Sequence, residues 1–169
     1  MSVTQRISPC LWFDGAAEEA ARYYTGIFKN SKITLTTRYN EVGFEQHHRP
    51  PGSVMAVDFE LDGQKFMALN GGPEFKFNEA ISLQVLCENQ QEIDYYWEKL
   101  SAGGDPNAQV CGWLKDKYGL SWQIVPENIS RMYEDEKSPG AKRAMAAMLQ
   151  MTKIDIAAME RAYRGAAAA

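Results

Sequence analysis

No stretch of this sequence approaches the roughly 18–20 consecutive apolar residues that a bilayer-crossing helix requires, so no membrane partner is expected. The first residues, MSVTQRISPCLWF, lack the long apolar core and small-residue cleavage site of a secretory signal, and a cytoplasmic location is expected. Positive charge is also in deficit, with 18 Lys and Arg against 22 Asp and Glu and a net charge of −4. Phosphate backbones are held by basic surfaces, so nucleic acid is not an expected partner. Cysteine is scarce: Cys10, Cys87 and Cys111 cannot all pair, and none stands in a C-x-x-C spacing. That points to a reducing compartment and to buried free thiols. Histidine is scarcer still. His47 and His48 are adjacent, and neighbours on an extended chain point opposite ways, which suits them poorly to joint chelation.

What is present is a core. Hydrophobic residues make up 45% of the 169, enough for one domain or two small halves. Ile7–Phe13 reads as a first strand closed by Asp14-Gly15. Ala17, Ala20, Ala21, Tyr24, Ile27 and Phe28 then recur at helical spacing. Lys32–Tyr39 (KITLTTRY) alternates and is rich in β-branched residues, so it reads as a strand, and Glu41–Ser53 reads as a Gly/Pro loop. The clearest local signal is Asp62-Gly63 between Val54–Leu61 and Gln64–Asn70, the pair favoured in two-residue type I′ hairpins. That turn pairs Leu61 with Gln64, Phe59 with Phe66, Val57 with Ala68 and Met55 with Asn70, all on one face directed to an interior.

After a linker over Gly71–Glu79 the order restarts. Ile81–Cys87 reads as a strand and Asn89 as a helix N-cap. A helical stripe of Ile93, Tyr96/Trp97 and Leu100 ends at Gly103-Gly104. Val110–Lys115 and Ser121–Val125 read as further strands. The second half therefore repeats the first, with one strand short or lost around Asp105–Gln109. The expectation is an α+β chain of two unequal copies around a ligand cavity, with units at about 5–72 and 79–126 forming one domain over 5–126. A helical C-terminal extension is expected over 127–169. It carries a stripe of Met145, Met148, Leu149 and Met151, and its last alanines are expected to fray.

Four segments carry a family resemblance: LWFDGAAEEAARYY (Leu11–Tyr24), FELDGQKFMALNGGPEFKFNEAIS (Phe59–Ser82), EIDYYWEKL (Glu92–Leu100) and CGWLKDKYGLSWQIVP (Cys111–Pro126). Together they resemble the glyoxalase/bleomycin-resistance/dioxygenase (vicinal oxygen chelate, VOC) superfamily. The match is to its PhnB-like branch, labelled "3-demethylubiquinone-9 3-methyltransferase domain". The resemblance implies two βαβββ-like repeats and a homodimer. Metal-dependent members place His, Gln or Glu ligands on the first and last strands of each unit. By motif alignment those positions fall near Pro9, at Ala68 or Asn70, near Ile81 or Ser82, and at Gln123. None is His or a carboxylate, and two amides with a serine hold divalent transition metals weakly.

No metal and no cofactor is therefore expected. The candidate ligand-binding residues are Trp12, Phe66 and Trp113 as flat apolar walls, with Asn70, Gln84 and Gln123 as orienting amides for a small molecule of undetermined identity. The catalytic residues, if the protein is an enzyme, are not named by the sequence. A metal-dependent glyoxalase- or dioxygenase-type enzyme is the alternative. A methyl transferase, the third reading, lacks support, because Gly71-Gly72 and Gly103-Gly104 do not open a strand-to-helix crossover.

Overall fold

The computed structural model describes residues 5–165, in two compact units that divide at Phe77/Asn78. In the first, β1 (Cys10–Phe13), α1 (Ala17–Ile27), β2 (Lys32–Arg38), β3 (Val54–Leu61) and β4 (Gln64–Asn70) form a βαβββ unit. Its sheet runs β1-β4-β3-β2, with β1 parallel to β4 and the other pairs antiparallel. The hairpin register is the one its turn dictates. Asp62 and Gly63 both take positive φ (46° and 78°), and Leu61 faces Gln64, Phe59 faces Phe66 and Val57 faces Ala68.

Helix α1 covers that face. Its stripe of Ala17, Ala20, Ala21, Tyr24 and Ile27 is buried, and the Tyr24 ring stacks on Phe59, which stacks on Phe66. Burying a side chain such as Phe59 contributes roughly 2–3 kcal/mol. Strand β1 is shorter than the apolar run Ile7–Phe13. Ile7 is 88% exposed, and the Gln5 side chain pairs with the Lys65 backbone in its place. The expected loop also contains one helical turn, α2 (Phe44–His47).

The second unit holds β5 (Leu83–Cys87), α3 (Gln90–Ser101), β6 (Trp113–Lys115) and β7 (Ser121–Pro126). Its sheet runs β5-β7-β6, with β5 parallel to β7 and β6 antiparallel to it. Asn89 caps α3 by accepting from the Glu92 amide, while Glu92 accepts from the Glu88 amide. Among the described residues the counterpart of β2 is missing. A 3-10 turn over Pro106–Ala108 takes its place, and Val110 forms only an isolated bridge to Trp113. The run Val110–Lys115 is not one strand because Cys111 and Gly112 take φ of 52° and 83° and turn the chain. A Cβ at Gly112 would crowd the Ile124 carbonyl oxygen at 3.0 Å, and its φ of 83° favours glycine.

The C-terminal helices α4 (Ile129–Met132), α5 (Pro139–Met148) and α6 (Ile156–Arg164) belong to this second unit. The Cys111 and Gly112 amides donate to the Met151 and Thr152 carbonyls, and Ile154 and Met159 are fully buried. Gly165 ends α6 at φ 79°, and the alanines expected to fray lie outside the described residues. Among the described residues no helix is long and apolar enough to cross a membrane.

All three cysteines are free, and Cys87 is fully buried. Burial, with a smaller contribution from Glu92, pushes its thiol up to about 12 from an ordinary 9.0. In the unfolded chain that thiol ionises first. Its stabilising contribution is therefore complete below about pH 9 and lost as pH rises toward about 12, by at most roughly 4 kcal/mol. Urea midpoints measured at about pH 8 and about pH 10.5 should fall further in the wild type than in Cys87→Ala. Parallel declines would rule the thiol out as the cause.

Candidate functional site

Each sheet has one face covered by its helix and one free of it, and strand register assigns every candidate side chain to a face. In the first unit Leu11 pairs with Ala68 and Phe13 with Asn70, so both belong to the α1-covered face with Phe59 and Phe66. Phe66 lies there, 8% exposed, stacked on Phe59. Asn70 lies there too, 4% exposed, and both ends of its amide bond backbone groups. Oδ1 accepts from the Ala17 amide at 2.9 Å, and Nδ2 donates to the Val54 carbonyl at 3.0 Å. The helix start at Ala16 has no side-chain cap of its own, so a strand residue supplies it.

Trp12 occupies the opposite, helix-free face. It pairs with Leu69, and Cys10 and Asp58 both pair with Met67 beside it. The indole Nε1 donates to the Gly72 carbonyl at 2.8 Å, and Phe75 meets the ring edge-on at 4.9 Å. Gly71 has to be glycine here, since a Cβ would stand 2.2 Å from the indole. Cys10 is exposed, and burial of its thiol together with the Asp58 carboxylate raises its pKa, which makes it a poor nucleophile.

In the second unit, Gln84, Gln123 and Trp113 form one row across the helix-free face of the sheet. Gln84 Nε2 donates to Gln123 Oε1 at 3.2 Å, and Gln123 Nε2 donates to Ser82 Oγ at 2.8 Å. Trp113 and Gln123 are half-buried. The next row holds Lys115 opposite Ser121, with Lys115 paired to the Glu79 carboxylate. Ser121 is 1% exposed, and its hydroxyl has no hydrogen-bond partner among the described residues. The Lys115 hydrogen bond holds the Glu79 carboxyl below its usual range.

The covered face of the same sheet is built by Asp116. Its Oδ1 accepts from the Tyr118 and Leu120 amides at 2.9 and 3.1 Å, and Oδ2 accepts from Trp122 Nε1 at 2.8 Å. This buried carboxylate shapes the β6–β7 turn, so the Asp, Gly and Trp of DKYGLSW serve one structural purpose.

Of the six candidates, then, Gln84, Trp113 and Gln123 are brought together, Trp12 lies on the first unit's helix-free face, and Phe66 and Asn70 face α1. Ser121, Lys115 and Glu79 stand outside the six candidates. Period-two spacing from Gln123 and Trp113 points to the first two, but nothing local marks Glu79 as their neighbour.

The metal-ligand positions implied by family resemblance fit a tightly held metal poorly. Asn70 is spent on backbone, and Gln123 and Ser82 bond each other as neutral groups. Among the described residues there is no group of three or more His, Cys, Asp and Glu that could hold an ion. The His47 ring lies tilted against Tyr39, 4.4 Å between centroids, with its ring nitrogens engaged by the Val42 carbonyl and the Arg49 amide.

A family model described as 3-demethylubiquinone-9 3-methyltransferase matches residues 5–125. The structure of a Bacillus cereus PhnB protein, which bears the same description, is 38% identical. It matches with a TM-score of 0.60 over 72% of this chain and 99% of that one. Protein PA1353 from Pseudomonas aeruginosa, 18% identical, shares the fold at a TM-score of 0.54 over 73% of this chain and 98% of that one. No curated protein matches the chain. With the two βαβββ-like repeats, the second abbreviated, these matches place the chain in the 3-demethylubiquinone-9 3-methyltransferase family, the PhnB-like branch of the glyoxalase/bleomycin-resistance/dioxygenase superfamily.

Proposed function

We infer that this chain binds a small organic molecule on the helix-free face of its second sheet, oriented by neutral side chains rather than by a metal ion. The observation that carries the reading is the hydrogen-bonded row Gln84–Gln123–Ser82 beside half-buried Trp113. Amides supply directed donors and acceptors, and an indole supplies a flat apolar wall, the usual make-up of a small-molecule site. Trp12 offers a comparable wall in the first unit, with Phe66 and Asn70 supporting its sheet from the covered side. Both plain binding and catalysis of an undetermined reaction fall within this reading. A homodimer goes with it, supported by the exposed Met145 and Leu149 beside Tyr133 in a groove of about 320 Å³.

The methyl transfer named in the family description finds little support in these sheets. Each is small and mixed in direction, Gly71-Gly72 follows the end of β4, and Gly103-Gly104 follows α3. The test is elemental analysis of protein purified without added metal, together with a thermal-shift screen of small metabolites and a methyl-sulfonium donor. We expect no reproducible stoichiometric Zn, Ni, Mn or Fe, and metabolite shifts that weaken at least several-fold in Gln123→Ala. Gln123→Glu should raise divalent-metal affinity more than Gln64→Glu, whose site is an exposed hairpin end. A near-stoichiometric metal, or shifts indifferent to Gln123, would sink the reading.

A further inference from the structure

The row next to Gln123 holds a feature that the amide row does not explain. Lys115 and Ser121 are register partners, so their side chains rise from the same face at neighbouring positions. Lys115 is a donor with a half-buried stem, and Ser121 is a hydroxyl at 1% exposure with no partner among the described residues. Buried hydroxyls are nearly always hydrogen-bonded, because taking one out of water without compensation is unfavourable. Two donors thus stand on one face of adjacent strands, and Lys115 is paired to the carboxylate of Glu79.

That group is the Glu79 carboxylate, and its setting differs from theirs. Glu79 is exposed and sits in a turn with Ala80 and Ile81, of which Ile81 is 72% exposed. A counter-ion on a surface turn, paired to a cation whose strand neighbour is a hydroxyl with no partner among the described residues, can give way to a better-fitting anion. An oxyanion reaching both Lys115 and Ser121 would make a charge-assisted pair that Glu79 leaves half made.

We propose that Lys115 and Ser121 form a subsite for a compact oxyanion, a carboxylate or phosphate group of the small molecule, and that Glu79 holds the site until that group displaces it. This rests on the small-molecule reading above, and it assigns the anionic end of a ligand whose remainder lies along Gln123, Gln84 and Trp113.

The probes are inorganic phosphate and acetate, each titrated calorimetrically into the full chain at constant ionic strength set with chloride. Glu79→Gln removes the competing charge from an exposed turn, and affinity for one probe should rise at least about tenfold. Lys115→Met should abolish that binding. Ser121→Ala should weaken it several-fold without lowering the melting temperature, a result that an idle buried hydroxyl would not give. A stronger response to phosphate identifies a phosphate-bearing ligand, and a stronger response to acetate identifies a carboxylate. Unchanged affinity in Glu79→Gln, or equal binding by Lys115→Met, overturns the subsite. If metabolite shifts still depend on Gln123 in that case, only the subsite has failed. If anions bind through Lys115 while no shift depends on Gln123, the amide-row reading has failed instead.

Discussion

Asp116→Ala should lower stability by about 3–5 kcal/mol, because it strands three donors at once, two of them buried and one half-buried. The lost acceptor serves the Tyr118 and Leu120 amides and the Trp122 indole, and the carboxylate is 2% exposed. Water does not readily reach the Leu120 amide or the Trp122 indole, so each of those is left close to its full desolvation penalty, while the half-buried Tyr118 amide loses less. For a chain of this size the loss corresponds to a fall in melting temperature of roughly 8–15 °C. Asp116→Asn keeps the shape and one oxygen but turns an N–H toward a donor, so it should fall between the variant and the wild type. Chemical and thermal unfolding measure both. If Asp116→Ala lost less than about 1 kcal/mol, the carboxylate would not be organising this turn.

Asn70→Ala should cost about 2–3 kcal/mol through a different route, the unfastening of α1. Removing the amide orphans the Ala17 N–H at the helix start and the Val54 carbonyl on β3. Hydrogen exchange at Ala17 should accelerate together with the loss of stability. Asn70→Asp can still accept from Ala17 but cannot donate to Val54, so it should restore only part of the loss. The ligand role that sequence position suggests for Asn70 makes the opposite prediction. Stability and exchange would stay within about 0.5 kcal/mol of wild type while small-molecule shifts disappeared.

These two residues show how legibility divided. Asp116 stands in a short motif whose bonds close within six residues, so its turn could be recognised locally. Asn70 ends a strand whose register was readable from Asp62-Gly63, and the expected face was correct, apolar with an amide at one end. What that face packs against was not readable. The hydrogen bond to Ala17 spans 53 residues, and no local pattern encodes it. The hairpin pattern predicts that face to be interior, and the candidate ligand-binding residues Phe66 and Asn70 lie on it. The structure puts α1 over it and leaves Trp12 on the other side.

Strand ends were lost for a related reason. Ile7–Pro9 have the composition of a strand, but the Gln5 side chain takes up pairing with Lys65, and Ile7 is left exposed. Val110–Lys115 looks continuous until Cys111 adopts a positive φ, which non-glycine residues seldom take and sequence seldom announces.

By itself the sequence determined the order of elements, the 54–70 hairpin and its register, the repeat with its abbreviated second copy, and the family. Each of these follows from periodicity, turn chemistry or motif, which act over a few residues. Tertiary structure decided which sheet faces the helices cover. It thereby made Asn70 a helix anchor, linked Gln84 to Gln123 and Gln123 to Ser82, and set Glu79 against Lys115, the register partner of Ser121, whose hydroxyl has no partner among the described residues. Those are contacts between distant segments, fixed by how apolar faces are buried together, and composition cannot state them in advance.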